Sequence, residues 1–147
     1  MEENVKKVLE RLEAQCSKRE CCTRDVRMKA LKALDGDAAS ADAVVESLVR
    51  DRFVDDLRYA SAFAREKASL TGWGPVKIRF ALRAKGIGEP DISAALEGID
   101  SDKAGERLRR LVEQKARSLQ GDPQIRLKLI KFALSRGYEY NDVEKLV

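Results

Sequence analysis

The residues able to do chemistry are few, and their spacing argues against catalysis. Cys16, Cys21 and Cys22 are the only thiols, and the sequence has no histidine. That removes His-based triads, His-ligated zinc and haem, and the commonest general base. Three cysteines leave a zinc ion one ligand short, and the adjacent Cys21–Cys22 pair suits a tetrahedron poorly. Lys18 and Arg19 are near enough in sequence to activate a thiol, but helix packing is the plainer role. An odd thiol count without a secretory signal fits reduced cysteines in the cytoplasm. The pair Asp55–Asp56 stands before the helical pattern LRYASAFAREKA (57–68). Either carboxylate can accept the unpaired N–H groups of that first turn and complement its dipole. A catalytic pair would need convergent groups in an apolar pocket, whereas neighbours at a helix start diverge. Gly86-Ile87-Gly88 lacks the strand that precedes a phosphate-binding glycine loop. The inventory predicts no enzyme, no metal and no cofactor.

Charge, by contrast, is abundant. Of 147 residues, 37% are charged and 44% hydrophobic, with aromatics at 5% and a net charge of +4. Residues 57–85 hold seven basic groups against Glu66 alone, and residues 103–136 hold ten against Glu106, Glu113 and Asp122. Arg79 and Arg83 lie one helical turn apart and Arg58 and Arg65 two, so each pair shares a face. The expected interface is a positive strip of Arg58, Arg65, Lys77, Arg79, Arg83 and Lys85, continued by Arg109, Arg110, Arg117, Lys128 and Lys131. Such a strip suits phosphates or an acidic protein groove. A solvated face on a charge-rich protein is the plainer alternative.

The elements that must carry these residues are helical. VKKVLERLEA (5–14) and RDVRMKALKAL (24–34) place apolar residues on one stripe, and strand signals are nearly absent. The start MEENVKKVLERLE is too charged for a signal peptide, and no apolar run approaches a membrane span. Gly74 can cap a helix with Pro75 at its first position, and Trp73 and Ile78 occupy the positions of a hydrophobic staple. That helix should stop at a left-handed Gly86, with Ile87 folding back on Leu82. The next begins near Glu89-Pro90.

A repeat follows from these boundaries. A shift of 48 aligns Leu34, Val44 and Leu48 with Leu82, Ile92 and Leu96. A further shift of 51 aligns Gly86-Ile87 and Asp91-Ile92 with Gly137-Tyr138 and Asp142-Val143, and Asp122-Pro123 echoes Gly74-Pro75. The predicted fold is an all-α, elongated tandem array of three three-helix repeats, at 1–49, 50–99 and 100–147.

The central stretch FVDDLRYASAFAREK (53–67) followed by GWGPVKIRFALRAKGI (72–87) resembles the signature of the RecX family, regulators of the bacterial recombinase RecA. The matching positions are Phe53, Val54, Asp55, Asp56, Arg58, Tyr59-Ala60, Gly72-Trp73-Gly74-Pro75 and Lys85-Gly86-Ile87. LIKFALSRGYEYNDV (129–143) resembles the family's third repeat, and CSKRECCTRDVRMKAL (16–31) its first, less specifically. The resemblance implies a non-enzymatic protein that lies along the groove of the RecA nucleoprotein filament; nothing in the sequence demands a dimer, so a monomer is expected. There it would block filament extension and suppress ATP hydrolysis, strand exchange and coprotease activity, with weak, non-specific contact to single- and double-stranded DNA. Ala38 stands where the other repeats carry a stop glycine, and Asp122 replaces the capping glycine. The competing reading is a stand-alone helical DNA-binding module. The helix at 75–85 has Arg and Lys but no Asn or Gln to read adenine edges, which disfavours sequence-specific readout.

Overall fold

Three apolar stripes too small to bury themselves singly form three cores strung along the chain. The computed structural model describes all 147 residues and contains helices only. The first unit is α1 (Glu3–Lys18), α2 (Thr23–Ala33) and α3 (Ala38–Arg50). The second is α4 (Asp56–Glu66) running into a π-helical turn (Lys67–Thr71), then α5 (Pro75–Ala84) and α6 (Glu89–Glu97). The third is α7 (Ser101–Ser118), α8 (Ile125–Ser135) and α9 (Tyr140–Glu144). Val26, Val44 and Leu48 centre the first core, Ile78, Leu82 and Ile92 the second, and Leu108, Ala133 and Val143 the third. The accessible surface is 9285 Å², against about 7,600 Å² for a compact monomer of this mass. The excess is that of an array rather than a sphere.

Local chemistry sets most boundaries as expected. Gly74 precedes α5 with Pro75 at its first position, and the Asp55 side chain accepts from Arg58 N at 3.0 Å. Gly86 has φ +78, Ile87 N donates to Leu82 O at 3.1 Å, and Gly86 N donates to Arg83 O at 2.9 Å. These paired bonds, with buried Ile87, are the left-handed stop that frees the chain from helical geometry.

Four expectations need correcting. The first repeat interval is 51 residues, not 48: Asp35, Gly86 and Gly137 are the left-handed stops of α2, α5 and α8. A slip of three residues is nearly one turn, so it preserves the buried face and passes unnoticed in an apolar pattern. The stop of the first unit is therefore Asp35-Gly36, with φ +52 and +84, and Ala38 is instead the first residue of α3. The helix of the third unit begins at Ile125 rather than Pro123. Asp122 accepts from Gln124 N at 2.8 Å and from Lys128 Nζ at 2.5 Å, which holds Pro123 in a turn outside the helix. Finally, the pattern at 57–68 is not one uniform helix, because at Lys67 it widens into the π turn ending at Gly72, φ +73.

The units join end to end through their second helices. At the junction of the second and third units, Gly74 N donates to Arg136 O (2.7 Å) and Val76 N to Gly137 O (2.9 Å). Orphan donors of α5's first turn thus meet orphan acceptors at the end of α8. Tyr138 Oη adds a bond to Gly72 O at 3.1 Å. At the junction of the first and second units the same ends are joined by side chains. Asp56 Oδ1 accepts from Thr23 N (2.8 Å), Arg24 donates to Ala84 O (2.8 Å), and Lys85 pairs with Asp25 (3.0 Å). Cys22, wholly buried, lies with its sulfur 3.9 Å from Lys85 O and joins the second core.

Candidate functional site

The eleven basic residues expected to form one strip are distributed among several settings, and seven of them are held in ion pairs. Arg58 turns to Glu20 in the α1–α2 connection at 2.8 Å and also donates to Arg52 O. Arg79 reaches Glu89 Oε2 at 2.6 Å, and Arg83 Nε reaches Oε1 of the same carboxylate at 2.6 Å. Lys85 is occupied by Asp25, Arg109 and Arg110 by Glu106 on their own helix, and Lys128 by Asp122. Arg65, Lys77, Arg117 and Lys131 have no carboxylate partner. Lys77 Nζ sits 4.6 Å from the centre of the Trp73 ring, and Lys67 Nζ 4.8 Å from it. Two cations thus flank one indole, an arrangement attractive through the ring quadrupole.

Of the signature residues, Phe53 and Val54 pack on the first core, and Tyr59 and Trp73 on the second. Asp55 caps α4 and Asp56 reaches across to Thr23. The aspartate pair is divided between a local task and a distant one, and neither carboxylate faces a reaction pocket.

The face of α5 away from its core carries an exposed apolar stripe. Ile78 and Leu82 are fully buried, while Phe80 is 75% and Val76 50% exposed. One turn separates Val76 from Phe80, and Arg79 and Arg83, also one turn apart, run along one side of them. Glu89 at the start of α6 grips both guanidinium groups, so their heads are held beside the stripe instead of sampling solvent freely. An exposed aromatic framed by ordered arginines has the composition of a protein-binding hot spot. Phe80 was legible in the sequence as the apolar residue on the wrong side of α5, about 160° from Ile78 at 100° per residue.

A second feature lies between the π turn and α7. Arg65, Ala68 and Ser69 on one side and Gly98, Ile99, Asp100, Lys103 and Arg107 on the other line a cleft of about 220 Å³. A neighbouring hollow of about 240 Å³ shares Ser69 and Arg107 and adds Thr71, Arg110 and Gln114. Lys103 and Arg107 stand outside the expected set.

Two of the buried thiols have raised pKa values. Burial and the neighbouring Cys21 push Cys16 up to about 12 against the opposing charge of Lys29, and burial also raises Cys22.

Comparison with known proteins places this arrangement among similar ones. A family model described as RecX, second three-helix domain, matches residues 55–96. The regulatory protein RecX of Clostridium tetani is 30% identical over 115 residues, covering 76% of this chain and 52% of that protein. The regulatory protein RecX of Clostridium botulinum (strain Eklund 17B / Type B) is 32% identical over 121 residues, covering 80% and 55% respectively. The chain spans about half the length of these curated relatives. The crystal structure of RecX from Lactobacillus salivarius shares the fold, with a TM-score of 0.86 at 20% identity over 97% of this chain and 94% of that chain.

Proposed function

The chain belongs to the RecX family, and we propose on that basis that it inhibits the RecA recombinase by lying in the groove of the nucleoprotein filament. Bound there it would block filament extension and suppress ATP hydrolysis, strand exchange and coprotease activity. We take residues 1–49, 50–99 and 100–147 as its three repeats. The observation that carries the reading is the outward face of α5, inside the matched stretch. Phe80 and Val76 stand exposed beside Arg79 and Arg83, and Glu89 orders both arginines. An aromatic anchor with arginine forks is suited to a protein groove lined with carboxylates. No pocket on α5 offers the convergent nucleophile and base that an enzyme would need.

The test is DNA-dependent ATP hydrolysis by RecA, titrated with this protein and its variants. Phe80→Ala and the double reversal Arg79→Glu/Arg83→Glu should each abolish most inhibition. Affinity for naked DNA should fall less than inhibition does, because contacts to the recombinase are lost as well. A stand-alone DNA-binding module would lose both in proportion. Inhibition that survived both variants would remove α5 from the contact surface.

A further inference from the structure

The cleft between the π turn and α7 concentrates positive charge that the protein itself does not neutralise. Elsewhere Arg58, Arg79, Arg83, Lys85, Arg109 and Lys128 each have a carboxylate within hydrogen-bonding distance. Arg65, Lys103 and Arg107 have none, although they line one hollow. Arg107 is the centre of the arrangement. It is half-buried, lines both hollows and the apolar pocket beneath Trp73, and makes no side-chain hydrogen bond. The one carboxylate in the cleft, Asp100, is spent on α7, accepting from Asp102 N at 2.9 Å and Lys103 N at 3.1 Å.

Three cations outnumber the one carboxylate of the cleft, which forms an ion pair with none of them, and a low-dielectric wall strengthens the repulsion that remains. The arrangement relaxes when an anion enters. The π turn contributes to the shape: a wide turn inside an α-helix is uncommon and recurs at functional sites. Here it carries Ser69 and Thr71 to the rim beside the cations. Exposed aromatic faces are absent from the lining, since Tyr138 is only 6% exposed, so no base-stacking platform is present. Cations along a trough without stacking rings suit a polyanion's backbone better than its bases.

We propose that this cleft holds the phosphodiester backbone of a nucleic-acid strand, with Arg65, Lys103 and Arg107 as the phosphate contacts. The site is separate from the outward face of α5 and does not depend on RecA.

Fluorescence anisotropy tests it in the absence of recombinase, with a labelled oligodeoxythymidylate and a labelled duplex as probes. Arg65→Glu/Arg107→Glu is compared with Lys6→Glu/Lys7→Glu on α1, which changes the net charge equally at exposed positions far along the chain. The cleft variant should weaken binding by roughly ten-fold or more and flatten the log-affinity against log-salt slope by about 1.8 on duplex or about 1.4 on single strand. The α1 variant should move affinity less than about two-fold, as distant exposed charges are screened. If the Arg107 variant melts early, Arg65→Glu/Lys103→Glu, with both positions exposed, carries the same reading. Equal losses in the cleft and α1 variants, or no loss in the cleft variants, would overturn the assignment. So would unchanged oligonucleotide affinity with lost RecA inhibition, which would make the cleft a grip on protein carboxylates.

Discussion

Gly74 and Gly137 meet backbone to backbone at the junction of the second and third units. A Cβ on Gly74 would overlap the carbonyl of Gly137, and a Cβ on Gly137 would overlap Lys77. The close approach lets Gly74 N and Val76 N reach the carbonyls of Arg136 and Gly137. Glycine is required at 74 by proximity rather than by torsion, because its φ of −84 is open to any residue.

Alanine substitutions should separate these two causes. Gly121 has φ +87 and open space around it, so Gly121→Ala should lose only the left-handed strain, about 1–2 kcal/mol. Gly74→Ala should lose at least as much through overpacking, about 1–3 kcal/mol, and the third unit should unfold at lower urea than the second. Urea titration followed by circular dichroism reads both. A neutral Gly74→Ala would mean that the junction is not held by this contact.

The stop of α5 gives a second comparison. Gly86→Ala should cost roughly 1 kcal/mol for its left-handed φ, since the nearest obstacle is the flexible Arg24 side chain at 3.1 Å. Leu82, fully buried, should cost about 2–5 kcal/mol on truncation to alanine. Equal losses would contradict this division between backbone strain and core packing.

The aspartate pair should respond asymmetrically. Asp55→Asn keeps a competent cap and should change stability little, whereas Asp55→Ala should lose about 0.5–2 kcal/mol. Asp56→Ala removes the acceptor for Thr23 N and should loosen the first unit from the second, while Asp56→Asn should largely restore it. Hydrogen exchange at the Thr23 amide is the direct readout. If both asparagine variants folded normally yet lost regulation, the carboxylates would have a role beyond the fold.

Acid should loosen the same joint. Burial raises the Asp25 pKa, but hydrogen bonds from Lys85 and Cys22 outweigh it and leave the carboxyl below its ordinary 3.8. The Asp25 hydrogen bond in turn raises Lys85 above 10.5, against some opposing burial. A depressed carboxyl contributes its stability above the unfolded value, and that contribution is lost as pH falls through the folded one. A raised amine contributes below its unfolded value, and that contribution is lost as pH rises through the folded one. The pair should therefore stabilise the protein across the neutral range and fail below about pH 4 and above about pH 10.5. Asp25→Asn should flatten both flanks of the melting temperature against pH, leaving the contributions of other carboxylates on the acid side.

Thiol chemistry should be silent in the folded protein. With Cys16 near 12 and Cys22 also raised, neither presents the thiolate that alkylating reagents attack. Iodoacetamide at mildly alkaline pH should leave both unmodified until guanidinium unfolds the chain, as mass spectrometry would show. Rapid labelling of native Cys22 would mean that the first junction opens readily.

Much of this molecule could be read from local pattern. Gly74-Pro75, the Gly86 stop and the Asp55 cap are written within a few neighbouring residues, and their geometry depends on little else. What escaped has a different origin. The pairing of Asp56 with Thr23 spans 33 positions, and that of Lys85 with Asp25 spans 60, so sequence shows the charges but not the meeting. The ion pairs within the expected strip have the same origin: Glu20 and Glu89 hold Arg58, Arg79 and Arg83 from other elements. The repeat interval slipped because one helical turn leaves an apolar face unchanged. Arg107 was hidden as one of ten cations in 103–136, and its half-burial at the meeting of three hollows, which sequence does not show, is what distinguishes it.

The two junctions differ in how far mutation can reach them. One is written mainly in main-chain amides and carbonyls that every non-proline residue supplies, so substitution alters it by crowding the glycines, removing an N–H or deleting the Tyr138 hydroxyl that bonds Gly72 O. The other is written in Asp56, Arg24, Asp25 and Lys85, each replaceable by a single codon change without disturbing a helix. Sequence drift can therefore retune the bend between the first and second units in small steps. The joint between the second and third units stays fixed or breaks. Divergence within such a lineage would show up as variation in the angle of the leading unit, carried on a trailing pair that behaves as one rigid piece.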